Sequence, residues 1–143
     1  MSISYEFNSI NLDDYIALRS LVNKPPLTTE LADQIMKNSI CSVSAFDEEG
    51  KTVGFGRLVG DGVVICYIQD VMVHPEYRFR NIGKGILEQL EGYVKNITQP
   101  GVTMMLELMS TLHAEQFYEK HGYIKRPNNE YGSGFIKLIS GDD

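Results

Sequence analysis

Tryptophan is absent from this chain, and cysteine, histidine and positive charge are all scarce. Each shortage excludes something. The two cysteines, Cys41 and Cys66, lie singly inside apolar runs with no Cys-x-x-Cys or metal-type spacing, so a disulfide scaffold is not expected and buried thiols in a reducing compartment are. The three histidines, His74, His113 and His121, share no ligand spacing, and no metal is expected. Thirteen Lys plus Arg stand against nineteen Asp plus Glu, a net charge of −6. A nucleic-acid face or a membrane-surface role needs the opposite balance, so neither partner is expected. The first thirty residues hold Glu6, Asp13, Asp14, Arg19 and Lys24 and no long apolar run, which predicts neither signal peptide nor membrane span and points to the cytoplasm. With no repeat, linker or low-complexity segment, residues 1–143 read as one domain.

Along the chain, ISYEFN (3–8) alternates like a short strand. From Asn11, Leu12, Tyr15, Ile16, Leu18 and Val22 fall near helical spacing until Pro25-Pro26. Thr28 or Thr29 caps a second helix to about Asn38, with Leu31, Ile35 and Met36 inward. CSVSAFD (41–47) and KTVGFGRLV (51–59) form a hairpin, and GVVICYIQDVMV (62–73) is a third strand, stopped by His74-Pro75. A helix spans about 83–96, its apolar side carrying Ile82, Ile86, Leu87, Leu90, Val94 and Ile97. VTMMLELM (102–109) is a strand, and residues 111–121 a helix closed by Gly122. Two short strands around Tyr123 and 135–139 end the chain. The expected class is mixed α/β, in the order β-α-α-β-β-β-α-β-α-β-β around a mixed sheet.

One turn runs against the acidic average. VHPEYRFRNIGKGIL (73–87) gathers Arg78, Arg80 and Lys84 around Gly83 and Gly85 where strand gives way to helix. A helix start offers unpaired N–H groups and partial positive charge, and glycine lets a ligand approach the backbone, so the turn suits a diphosphate across 80–86. A Walker loop does not fit, because Arg78 takes its first glycine position and Gly85 its final Ser/Thr. The dinucleotide fingerprint does not fit either, since Glu88 and Val59 stand where the third glycine belongs after Gly83-x-Gly85 and Gly54-x-Gly56.

Arg80-x-x-Gly83-x-Gly85, preceded by YIQDVMV and His74-Pro75-Glu76-Tyr77-Arg78, resembles the acetyl-CoA-binding motif of the GNAT acyltransferases. FYEKHGY (117–123) is similar to that family's later tyrosine motif, in matching order and spacing. The resemblance covers nearly the whole chain, and the YIQDVMVHPEYR run also resembles small members that acetylate amines such as arylalkylamines. It implies the GNAT fold, with the strand at 63–73 bulged and splayed from its neighbour so that Met72 and Val73 pair with the pantetheine arm. It implies that the N–H of Val71 or Val73 polarises the thioester. Arg78, Phe79, Arg80, Asn81, Ile82, Gly83, Lys84, Gly85 and Ile86 would wrap the diphosphate, with Thr111 where an asparagine often touches the pantetheine. Phe79 and Asn81 replace glycines usual at those places. A phenylalanine fits a left-handed backbone poorly.

The activity implied is N-acetyl transfer from acetyl-CoA to a small-molecule amine by direct attack, with no cysteine in the motif to carry an acyl group. Tyr118 is the expected acid for the departing thiolate. A carboxylate in an apolar strand wants a partner, which makes Asp70 and Glu107 the candidate bases, with a structural hydrogen bond to nearby backbone as the alternative role. Tyr67 and Gln69 are expected on the acceptor side. Residues 20–40 and RPNNEYGSG (126–134) would form the acceptor walls, where Glu30, Asp33 and Glu130 either attract a cationic amine or, as acidic surface residues usually do, are simply solvated. A homodimer is expected. A non-catalytic acyl-CoA sensor and transfer to a protein amine are the alternatives.

Overall fold

A computed structural model describes residues 2–142, which fall into two compact units, one ending at Leu108 and the other beginning at Met109. The first unit is built on a five-stranded sheet in sequence order: β1 (Ser4–Phe7), β2 (Cys41–Phe46), β3 (Thr52–Gly60), β4 (Ile65–Val73) and β5 (Met105–Leu108). Strands β1 to β4 pair antiparallel, β2–β3 and β3–β4 through short turns and β1–β2 across the two leading helices, while β5 joins β4 in parallel after a helical crossover.

One face of the sheet carries helix α3 (Ile82–Ile97). Ile82, Ile86, Leu87, Leu90 and Val94 recur at helical spacing and are all buried, each worth about 1.5–3 kcal/mol. Gly54 and Gly56 let α3 come this close. A Cβ at Gly54 would lie 2.9 Å from Ile82 Cγ2, and one at Gly56 2.7 Å from Ile86 Cγ2. The GFG stretch is therefore a helix seat. The opposite face carries α1 (Leu12–Leu21) and α2 (Thr29–Lys37), whose Tyr15, Leu18 and Ala32 form a buried cluster with Phe55 and Met72.

Both leading helices begin as the sequence predicts. Asn11 accepts the Asp14 N–H and Thr28 accepts the Leu31 N–H. Helix α1 ends at Leu21, before the prolines, because Asn23 turns left-handed at φ 64° and the Lys24 N–H bonds back to the Arg19 carbonyl. Leu31, expected inward, is 47% exposed.

The second unit contains α4 (Glu115–Lys120), shorter than the helix expected over 111–121, since residues 111–114 form a separate turn closed by the Ala114 N–H on the Thr111 carbonyl. The two strands expected around Tyr123 and at 135–139 do not form, and β5 is the last strand among the described residues. Phe135, Ile136, Leu138 and Ile139 are of strand-favouring or apolar type but are 71–90% exposed. A strand exists only with a partner to receive its hydrogen bonds, and no pairing places one there.

Candidate active site

The site begins where β4 changes character. Pairing with β5 covers Ile65–Ile68 against Met105–Leu108 and then stops, while β4 continues to Val73. Gln69 to Val73 thus have β3 on one side and no β5 partner on the other. On the β3 side the register slips: Phe55 faces Met72 and Arg57 faces Gln69, so Asp70 and Val71 share the place opposite Gly56. Asp70 absorbs this bulge at φ 58°, a left-handed conformation that aspartate tolerates. The consequence is directional. Gln69, the partner of Arg57, and Asp70 both lie on the α1–α2 face, whereas regular alternation would separate them. Tyr67 shares that face through its partner Val59 and is matched with Glu107 on β5.

Beyond β4, His74 accepts the Glu76 N–H and starts a single 3-10 turn at Pro75–Tyr77. Tyr77 donates its hydroxyl to Asp47 at 2.9 Å, and the Arg80 guanidinium lies over the Tyr77 ring at 5.1 Å. Phe79 and Asn81 are both left-handed, at φ 63° and 61°, where glycine would sit without strain. Phe79 is fully exposed, so no packing offsets that strain. Helix α3 then opens with Asn81 as its cap residue. Unlike α1 and α2, it has no side-chain cap and no acidic residue in its first turn. Its leading N–H groups and dipole are left for an external anion, beside the exposed Arg78, Arg80 and Lys84, the last of which lies 3.8 Å from Glu88. Ile82 and Ile86 are core side chains and offer a ligand only their backbone. Gly85 has a role of its own, because a Cβ there would strike the Tyr5 ring.

The acetyltransferase (GNAT) domain model matches residues 39–125 of this sequence. The chain belongs to the GNAT acetyltransferase family. An uncharacterized N-acetyltransferase of Pyropia yezoensis is 28% identical over 139 residues, covering 92% of this chain and 74% of that protein. Its counterpart in Porphyra purpurea is 29% identical over 115 residues, covering 78% of this chain and 62% of its own length. Among solved structures, a probable acetyltransferase of unknown function from meticillin-resistant Staphylococcus aureus superposes with a TM-score of 0.80 at 27% identity, covering 96% of this chain and all of that one.

Within this GNAT domain, Asp70 is not poised as a base. Its side chain is 1% exposed and accepts hydrogen bonds from Tyr15 Oη at 2.6 Å, Arg57 Nε at 2.8 Å and Lys24 Nζ at 3.0 Å, with Arg19 Nη1 at 3.7 Å. Burial by itself pushes the carboxyl up, but the bonds from Tyr15, Arg57 and Lys24 and the charge of Arg57 outweigh it and bring it down to about 2. The Tyr15 phenol is driven to about 12, first by burial and then by Asp70. A carboxylate so fully bonded is a weak proton acceptor, and its geometry is that of a clamp joining α1, the α1–α2 loop, β3 and β4.

Sequence reasoning missed this clamp, and of the pocket next to it only the wall within residues 20–40 was expected, not Arg57 and Val59 on β3. A cavity of about 320 Å³ lies between α2 and β3, with Leu27, Leu31, Ile35 and Val59 as apolar walls and Gln34, Asn38 and Arg57 as polar ones. Leu31 owes its exposure to lining this cavity. Arg57 belongs to both features, bonding Asp70 through Nε and Ser39 Oγ through Nη1. Asp33, expected to attract an amine, is instead 2.7 Å from Lys37.

In the second unit, Tyr118 is half-buried, with its ring edge-on to Phe117 at 5.1 Å and to Tyr123 at 5.9 Å. Burial raises its pKa above the ordinary value of 10.0, so the phenol keeps its proton through the neutral range. Thr111 is exposed, and its carbonyl accepts the Ala114 N–H. The 126–134 loop is drawn together by Asn128 Oδ1, which accepts the Glu130 and Tyr131 N–H groups, and by Arg126 Nε donating to the Gly132 carbonyl at 2.7 Å.

Proposed function

We propose that this protein transfers acetyl from acetyl-CoA to a primary amine of a small molecule by direct attack. The observation that carries the reading is the pairing of two open backbone edges: the uncapped start of α3 and the edge of β4 that, among the described residues, β5 leaves open after Ile68. The first suits a diphosphate, with Arg78, Arg80 and Lys84 adding charge and the N–H groups of 83–86 adding direction. The second suits the pantetheine arm, which Met72 and Val73 would bind through main-chain groups as an added strand. Acetyl-CoA supplies an acetyl group on a thiolate that leaves readily.

The chain's own residues then divide the work. The N–H of Val71 or Val73 polarises the thioester carbonyl. The amine nitrogen bonds to the acetyl carbon as the carbon–sulfur bond breaks, and Tyr118 gives its hydroxyl proton to the thiolate. The amine proton goes to Glu107, directly or through water, because Asp70 is committed to its clamp. Tyr67 and Gln69 share the sheet face of the 320 Å³ cavity, which supports placing the acceptor there. Two copies are proposed to associate, supported by the exposed Phe135, Ile136, Leu138 and Ile139. The test is an amine panel with acetyl-CoA, following free thiol release together with the acetylated amine by mass spectrometry. Product on a small amine is the expected result. Thiol release without any acetylated amine, or acetylation of protein lysines alone, would overturn the reading.

A further inference from the structure

The ion pairs of this acidic chain are one-to-one at Lys37–Asp33, Lys84–Glu88 and Lys125–Glu115. The Asp70 clamp departs from that pattern. Arg19, Lys24 and Arg57 converge on a single carboxylate, and Asp70 is their one acidic partner among the described residues. Three cations against one carboxylate leave two positive charges unmatched. They are not ordinary solvated side chains, since Arg19 and Arg57 are only 13% and 14% exposed, and Arg19 Nε is buried without a hydrogen-bond partner. Partly desolvated charge of one sign favours an opposite charge brought by a ligand. The neighbouring cavity supplies the place. Its one charged wall is Arg57, and the rest is Leu, Ile and Val with two amides.

We infer that the acceptor amine carries an anionic group, carboxylate or phosphate, on a short apolar stem, seated with the anion toward Arg57 and the Lys24–Arg19 pair behind it. This rests on the acetyl-transfer reading above and narrows its substrate class. The expectation that acidic residues draw in a purely cationic amine is thereby reversed, because a diamine would meet like charge. The same cations make the ammonium form of the acceptor costly and so favour the neutral nitrogen that attacks, which eases the demand on a base.

The experiment compares matched stems: γ-aminobutyrate and aminopropylphosphonate against butylamine, phenethylamine and putrescine. Acetyl-CoA binding is first measured by calorimetry. Acceptor binding to the protein is then followed by saturation-transfer NMR, and turnover by thiol release. The expected result is a preference of about tenfold or more in kcat/KM for at least one anionic amine, the worth of a charge-assisted hydrogen bond. The preferred anion identifies carboxylate or phosphate. Lys24→Gln, the most exposed of the three cations, should narrow that preference, as should Arg57→Gln where it folds. Acetyl-CoA binding and transfer with butylamine, phenethylamine or putrescine equal to or better than the anionic amines would overturn this inference and leave acetyl transfer standing. So would failure of both anionic amines to bind better than butylamine by NMR. Absence of acetyl-CoA binding would instead remove the acetyl-transfer reading, and this inference with it.

Discussion

Replacing Asp70 with asparagine keeps the shape of the clamp and deletes its charge. The native carboxylate accepts three hydrogen bonds of 2.6, 2.8 and 3.0 Å while almost fully buried. The amide retains one accepting oxygen and turns an NH₂ toward groups that are themselves donors, so at least one of Tyr15, Arg57 and Lys24 loses its partner. Removing one side of a buried ion pair costs about 3–5 kcal/mol, because the remaining charge stays buried without compensation. A domain of this size has about 5–15 kcal/mol in all, so the variant should fold with little reserve. Urea unfolding followed by circular dichroism reads this as a lower midpoint at unchanged slope. The acid limb adds a second signature. The folded carboxyl titrates at about 2 against the ordinary 3.8, so its contribution is fully present above pH ~4 and is lost as the pH falls through the folded value. That contribution is on the order of 2 kcal/mol. Wild type should lose it in that window, and Asp70→Asn should not. A variant within about 1 kcal/mol of wild type, with a superimposable acid limb, would refute the clamp.

Arg80→Ala removes the guanidinium stacked on Tyr77 and should weaken acetyl-CoA binding by about 1–3 kcal/mol by calorimetry. Unchanged affinity would take Arg80 out of the site. Tyr118→Phe should lower turnover by about 100-fold with acetyl-CoA affinity nearly intact, and a small effect would reduce Tyr118 to a packing residue. Glu107→Gln should displace the acid limb of the pH–rate profile, and if the limb stays in place water alone takes the amine proton. Phe79→Gly relieves a left-handed φ of 63° on a fully exposed side chain and should raise the thermal midpoint. A lower midpoint would mean that Phe79 packs in solution.

How much of this was written in the residues divides by distance along the chain. Helix α3 was legible because its apolar positions repeat at helical spacing, and the β2–β3 hairpin because Glu48-Glu49-Gly50 separates two strand-like runs. The basic turn was legible for the same reason, being local and contrary to the average charge. Asp70 could be flagged as an anomaly within its strand. Its partners Tyr15, Lys24 and Arg57 lie 55, 46 and 13 residues away, and no spacing rule joins them. The bulge that turns Asp70 toward them depends on the register of β3 against β4, which side-chain type does not dictate. The segment 135–139 misled for a related reason, since a run of aromatic and β-branched residues states a readiness to pair but names no partner.

The central claim is that the start of α3 and the open edge of β4 hold acetyl-CoA, and calorimetric titration of the folded protein with acetyl-CoA at moderate salt tests it most directly. Micromolar binding at about one site per chain, within the ordinary range of substrate affinities, is the predicted result. No heat of binding from a protein with an intact circular dichroism spectrum would contradict it.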